Sequence, residues 1–239
     1  MFSLISTLTA AAVSAQGMMG GGMMGPGYFG MPGWWDYAPP GEKAPLTINQ
    51  AVEAVESYLR SRGNQDLELA EIMEFDNHFY AEVEEENSGI HAFELLINRY
   101  TGAIFPEPGP NMMWNTKYGH MRGGMMGGGM MGRWTMGPFG WGRRGGWNQT
   151  DPVNNKLRVS PKKAQQAAQK FLDAYLPGTQ AADEVDTFYG YYTIHVLKDG
   201  EVYGMLGVNG YKGWVWYHEW HGRFIGMKEM ENAEISRWR

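Results

Sequence analysis

The sequence matches itself at an offset of about 113 residues, and this internal repeat constrains the fold more than any other feature. Without a gap, residues 52–59 lie over 165–172, and Phe79, Ala81 and Val83 lie over Tyr192, Ile194 and Val196. Past Lys198-Asp199-Gly200 the second copy is shorter by about two residues. There Asn98-Arg99-Tyr100-Thr101-Gly102 falls on Asn209-Gly210-Tyr211-Lys212-Gly213. A match that keeps this order implies one small supersecondary unit built twice.

Each copy spells out the same elements. Thr47 can cap a helix, and Gln50 three residues on completes a capping box. Ala51, Val52, Val55, Tyr58 and Leu59 then fall on one helical face until Gly63 ends the run. In the second copy Ser160-Pro161 marks the start, and Ala164, Ala167, Ala168, Phe171, Leu172 and Tyr175 give the face before Pro177-Gly178. After the first helix the period drops to two. Phe79, Ala81 and Val83 alternate with Tyr80, Glu82 and Glu84, which predicts a half-buried strand with an acidic outer side. Asn87-Ser88-Gly89 turns the chain into a strand over 90–98, and Thr101-Gly102 turns it into another over 103–105. A further strand is expected over 67–73.

The expected class is therefore α+β, with two tandem small domains at 46–110 and 159–230, each a helix packed on an antiparallel β-meander. A Met/Gly-rich flexible linker is expected at 111–158 and a tail at 231–239. Each unit, a capped helix and a meander with an Asn-x-Tyr-x-Gly turn before its last strand, resembles the PepSY domain of secreted and periplasmic proteins. The resemblance covers residues 46–107 and 159–227. It implies an interaction or accessory role and carries over no catalytic residue.

Outside the repeats the composition changes. The chain has 34 glycines and 18 methionines, concentrated in 17–33 and in the linker, where too few branched side chains are present to offset ordering entropy. Residues 4–13 are short and apolar, and Val13-Ser14-Ala15 offers the small residues a signal peptidase reads. Residues 1–15 are thus expected to be a secretory signal, 16–45 a flexible segment, and the mature chain periplasmic or extracellular. No other apolar run approaches the roughly twenty residues needed to span a bilayer. With no cysteine there is neither a disulfide framework nor a thiolate site. A net charge of -6 without a long basic run lacks the footprint of a nucleic-acid binder.

Two segments carry candidate chemistry. His120, Met121, Met125, Met126, Met130 and Met131 alternate with glycine, and thioether sulfur selects soft ions such as Cu(I) or Ag(I). An equally open reading makes these methionines an adaptable apolar linker. His218 and His221, three apart, can converge on one ion if tightly turned, or cap an aromatic cluster. Their spacing is not that of the zinc-protease His-Glu-x-x-His, and no glycine motif cradles a phosphate, so neither a catalytic residue nor an organic cofactor is indicated. Trp214, Trp216 and Trp220 suggest a partner-binding aromatic face. His78 and His195 are expected at the surface or satisfied within the structure, and Glu82, Glu84, Glu85 and Glu86 on a solvated strand edge. The expected function is that of an exported, non-catalytic accessory protein that binds soft metal ions for storage, delivery or tolerance. The alternatives are a protein-interaction or protease-inhibitory module, or a structural subunit of a cell-surface assembly.

Overall fold

The computed structural model describes residues 44–119 and 156–230. Helix α1 (Ile48–Arg62) starts with the expected capping box, Thr47 and Gln50 each accepting from the other's backbone N–H, and ends at Gly63, whose left-handed φ of 71° suits glycine. Four antiparallel strands follow: β1 (Leu67–Phe75), β2 (His78–Glu85), β3 (His91–Asn98) and β4 (Ile104–Pro106). A short helix α2 (Pro110–Met113) closes this half.

The second half opens on α3 (Pro161–Tyr175), capped by Ser160 with proline in its first turn. Its sheet is built from β5 (Gln180–Ala181), β6 (Asp186–Thr187), β7 (Tyr191–Lys198), β8 (Glu201–Asn209) and β9 (Val215–Tyr217). The α+β class, a helix on an antiparallel sheet in each half, is thus as the sequence implies. One strand departs from that plan. β10 (Phe224–Glu229), second-unit sequence by the repeat, crosses to pair with β1 and gives the first sheet the order β10-β1-β2-β3-β4. Its register sets Phe224 beside Phe75 and Met227 beside Met73, extending an apolar patch.

Strand register reproduces the repeat. Met73 pairs with Tyr80 as Asp186 pairs with Thr193, and Glu82 with Glu94 as His195 with Met205. Leu96 pairs with Phe105 as Gly207 with Trp216. The offset is therefore 113 before the hairpin (186 − 73) and 111 after it (205 − 94). The turn that follows is built the same way twice. Asn98 Oδ1 accepts from the N–H groups of Tyr100 and Thr101, and Asn209 Oδ1 from those of Tyr211 and Lys212. Gly102 and Gly213 close these turns with φ of 70° and 69°.

Each sheet turns one face to its own helix. Phe79, Ala81 and Val83 pack with Val52, Val55 and Leu59, while Tyr192, Ile194 and Val196 pack with Ala164, Ala168 and Leu172. The opposite faces meet, giving helix, sheet, sheet, helix. Across this seam Tyr191 Oη and Thr193 Oγ1 both donate to Glu94, at 2.7 Å each, and Tyr189 Oη donates to Glu85. The seam corrects one expectation. Glu82, Glu84 and Glu85, expected on a solvated edge, are buried, with Glu82 only 1% exposed, while Glu86 is exposed. Alternation reveals which residues share a face; it does not reveal that a second sheet covers the polar one.

The seam is also isologous, the same positions of both halves facing one another. His91 packs with Asp186 and Phe188. Their equivalents by the offsets, Val202, Met73 and Phe75, form one apolar cluster on the other side.

Residues 110–119 strap the seam. Asn111 Nδ2 donates to the carbonyls of Glu94 and Glu107, Asn115 Nδ2 to that of Ala92, and Thr116 N–H to that of Tyr189. Gly190, with φ of 102°, lies so close to this strap that a Cβ there would sit 2.2 Å from the Trp114 carbonyl oxygen. Gly190→Ala is accordingly expected to lower unfolding free energy by at least about 2 kcal/mol, combining a left-handed backbone penalty with a clash. Urea denaturation measures this directly.

Candidate metal centre

The polar side chains of the seam are its unusual feature. All five histidines among the described residues, His78, His91, His195, His218 and His221, point into this layer or its rim, together with Glu71, Glu82, Glu94, Glu107 and Asp186. His78 and His195, expected at the surface or satisfied, are a buried residue and a largely buried one with Nε2 lacking a directed hydrogen bond. The reason is again the second sheet, which covers the outward parity of β2 and β7.

The most deeply buried group is Glu107, His218 and His221. The backbone N–H of Glu107, just past β4, donates to the Glu94 carbonyl, and that of His218, just past β9, to the Met205 carbonyl. Corresponding strand ends therefore bring these two side chains together. His221 arrives from the turn into β10, which Asn77 Oδ1 pins by accepting from Gly222 N–H. Glu107 Oε1 lies 3.4 Å from His218 Nδ1 and 3.1 Å from His221 Nε2, and the three side chains are at most 1% exposed. Trp220 Nε1 donates to the same oxygen at 3.0 Å. Stacking fixes the rings: Trp220 lies on His218 with centroids 4.8 Å apart, and Phe75 on His221 at 4.5 Å. Gly109 permits this, since a Cβ there would meet the Trp220 ring at 2.7 Å.

The spacing of these atoms and their lack of direction matter together. Both ring nitrogens of His218 and Nε2 of His221 are buried without a directed hydrogen bond, although burial ordinarily demands one. One ligand atom from each of the three residues lies within 4.8 Å of the others. The two measured separations, 3.4 and 3.1 Å, are close to the roughly 3.3 Å between ligand atoms that tetrahedral ligation at about 2.0–2.1 Å implies. His221 Nδ1 is 2.8 Å from His78 Nε2. With His221 in its Nδ1–H tautomer this bond leaves Nε2 free as a ligand, the outer-shell arrangement common to metal-bound histidine.

Electrostatics suits the same role. Burial holds His78 and His221 well below the ordinary imidazole value, and the neighbouring histidines push the same way, so both are neutral and able to ligate. Burial opposes a charge on His218 too, but Glu107 and Glu94 together raise its pKa. Glu94 is pushed up to about 8 by burial and then by Glu107. Proton counting agrees: Tyr80 Oη is 2.6 Å from Glu82 and 2.7 Å from Glu94, and its single proton satisfies only one of two charged carboxylates.

A pH dependence follows for the metal-free protein. Glu94 and His195, whose pKa values rise to about 8 and about 9, hold protons in the folded state that the unfolded chain releases sooner. His218 shifts in the same direction. Above an unfolded imidazole pKa of about 6.5 the folded state therefore binds more protons, so stability falls as pH rises. His78 and His221 act in the opposite sense just above pH 6.5, where unfolded imidazoles are still partly protonated, and stop contributing by about pH 7.5. The melting temperature is expected to decline from about pH 7.5 to 9, as followed by circular dichroism, and Glu94→Gln to flatten that slope, most of all below about pH 8.

Of the sequence-derived candidates, His218 and His221 are brought together. His120, Met121, Met125, Met126, Met130 and Met131 lie outside the described residues, as do the expected signal, the 16–43 segment and the tail. The three tryptophans occupy different settings. Trp214 is exposed, Trp216 packs edge-on against Trp114, and Trp220 stacks on His218. Glu107 and Glu94 were not singled out from the sequence. A signal for Glu107 was present, since the shortened offset lays it on His218, just as the full offset lays Glu82 on His195.

No protein-family model matches the sequence, and no curated protein does. Among solved structures, the Bacillus megaterium YpeB C-terminal domain is similar, at 12% identity over 74% of this chain and 68% of that one, with a TM-score of 0.34. Among the described residues no helix is long and apolar enough to cross a membrane.

Proposed function

We propose that this chain is an exported, non-catalytic accessory protein that binds transition-metal ions, copper foremost, for storage, delivery or tolerance. The observation that carries the reading is the convergence of Glu107, His218 and His221 in a buried, aromatic-walled site. Two imidazoles and a carboxylate suit Cu(II) or Zn(II), whereas the thioethers of Met121, Met125, Met126, Met130 and Met131, with His120 beside them, suit Cu(I) or Ag(I). One chain then carries ligands for both copper oxidation states, and for thioethers an oxidising compartment is no obstacle.

The two ligand sets are separable. Anaerobic Cu(I) titration against a competing chelator is expected to show binding that disappears when Met125, Met126, Met130 and Met131 are all changed to Leu. Cu(II) binding through two imidazole nitrogens is expected to survive those changes and to disappear in His218→Ala/His221→Ala. Failure of the wild-type chain to compete for either ion rejects the reading.

A specific observation favours a second role. Trp214 and Tyr203 are 48% and 45% exposed, with Lys212 Nζ 4.0 Å from the Trp214 ring centroid and Lys198 Nζ 5.4 Å from that of Tyr203. Exposed aromatic anchors of this kind suit a protein partner or protease. Capture of one partner by the wild type, lost in Trp214→Ala, together with absent metal binding, supports that role instead.

A further inference from the structure

The seam holds a second group of ligand atoms, separate from the first and independent of the function proposed above. Glu71 of β1, Glu82 of β2 and His195 of β7 present one ligand atom each within 4.8 Å of one another. His195 Nε2 is 3.4 Å from Glu71 Oε1, and both atoms are buried without a directed hydrogen bond. Glu82 and His195 occupy equivalent positions of the two halves (195 − 82 = 113), as Glu107 and His218 do after the hairpin (218 − 107 = 111). Equivalent residues that meet across an isologous seam mark its two-fold axis. In both places a carboxylate from the first half meets an imidazole from the second.

The surroundings of Glu82 are those of a supported ligand. Tyr80 Oη donates to its Oε1, and His91 Nδ1 is 2.8 Å from its Oε2. His91 in turn has Nε2 3.7 Å from Asp186 and its ring tilted against Phe188. Each carboxylate oxygen retains a lone pair for a metal after one such contact.

We infer that Glu71, Glu82 and His195 form a second metal site for a divalent first-row cation such as Zn(II) or Mn(II), with His91 and Asp186 as positioning residues that fix Glu82. Two carboxylates and one imidazole make this the harder of the two sites, so it selects against Cu(I).

The test is calorimetric titration of the chelator-stripped full chain with Zn(II). Two equivalents are expected for the wild type. Glu71→Gln/His195→Gln is expected to retain one with its affinity unchanged, and Glu107→Gln to retain the other. A wild type that takes one equivalent, lost in Glu107→Gln, overturns the second site and leaves the first standing. A single equivalent lost only in Glu71→Gln/His195→Gln supports the second site and removes the first. A folded Glu71→Gln/His195→Gln protein that still takes two equivalents also overturns it. Far-UV circular dichroism establishes folding. Should that variant unfold, Co(II) absorption of the wild type decides: a two-equivalent end point supports the second site and a one-equivalent end point refutes it.

Discussion

Glu107→Ala is expected to weaken Cu(II) or Zn(II) binding at the His218–His221 site by more than the roughly 100-fold that loss of an outer-shell partner can cause. The carboxylate is the one anionic ligand of that set, and its Oε1 also accepts from Trp220. Its loss removes the charge compensating the cation and frees the indole that stacks on His218. His78→Ala tests the outer shell. It leaves all three ligand atoms in place but removes the partner of His221 Nδ1, so a smaller loss of about 10–100-fold is expected. Competition with a chromophoric chelator distinguishes the two magnitudes. Equal affinities for wild type and Glu107→Ala would remove Glu107 from the site.

The second large effect concerns stability. Glu94→Ala is expected to destabilise the fold by at least about 3 kcal/mol, since stranded buried donors cost about 1–3 kcal/mol each. Glu94 accepts from Tyr191 and Thr193, and removing it leaves these two buried hydroxyls without an acceptor beside a void, while Tyr80 keeps Glu82. Glu94→Gln keeps the shape and one acceptor oxygen, and resembles the neutral acid that a pKa of about 8 implies at pH 7. It is expected to cost less than half as much in the same denaturation experiment. If Ala and Gln prove equally mild, the Tyr191 and Thr193 hydroxyls have other partners.

The contrast between what the repeat predicts and what it conceals is physical. Helix faces, strand parity and the Asn-x-Tyr-x-Gly turns are local, and Val55, Leu59, Phe79 and Ile194 lie where periodicity puts them. The seam is not local. Nothing in the alternation around Glu82 distinguishes a carboxylate facing water from one facing Tyr80 and His91, because both occupy the same side of the strand. His218 and His221 were legible as a pair because they are three residues apart. Glu107 lies more than a hundred residues away and joins them only through the docking of two sheets. β10 is a similar case: no strand is predicted over 224–229, and its place beside β1 depends on the cover it gives Phe75 and Met73.

The proposed centre is a metal ion held in a buried seam between an imidazole pair and Glu107. Electron paramagnetic resonance of the metal-stripped chain with one equivalent of Cu(II) tests it most directly, in a variant with Met125, Met126, Met130 and Met131 changed to Leu. An axial signal with hyperfine structure from two imidazole nitrogens is expected, and that two-nitrogen coupling is lost in His218→Ala/His221→Ala. A signal without nitrogen coupling, or one unchanged in that double variant, would contradict it.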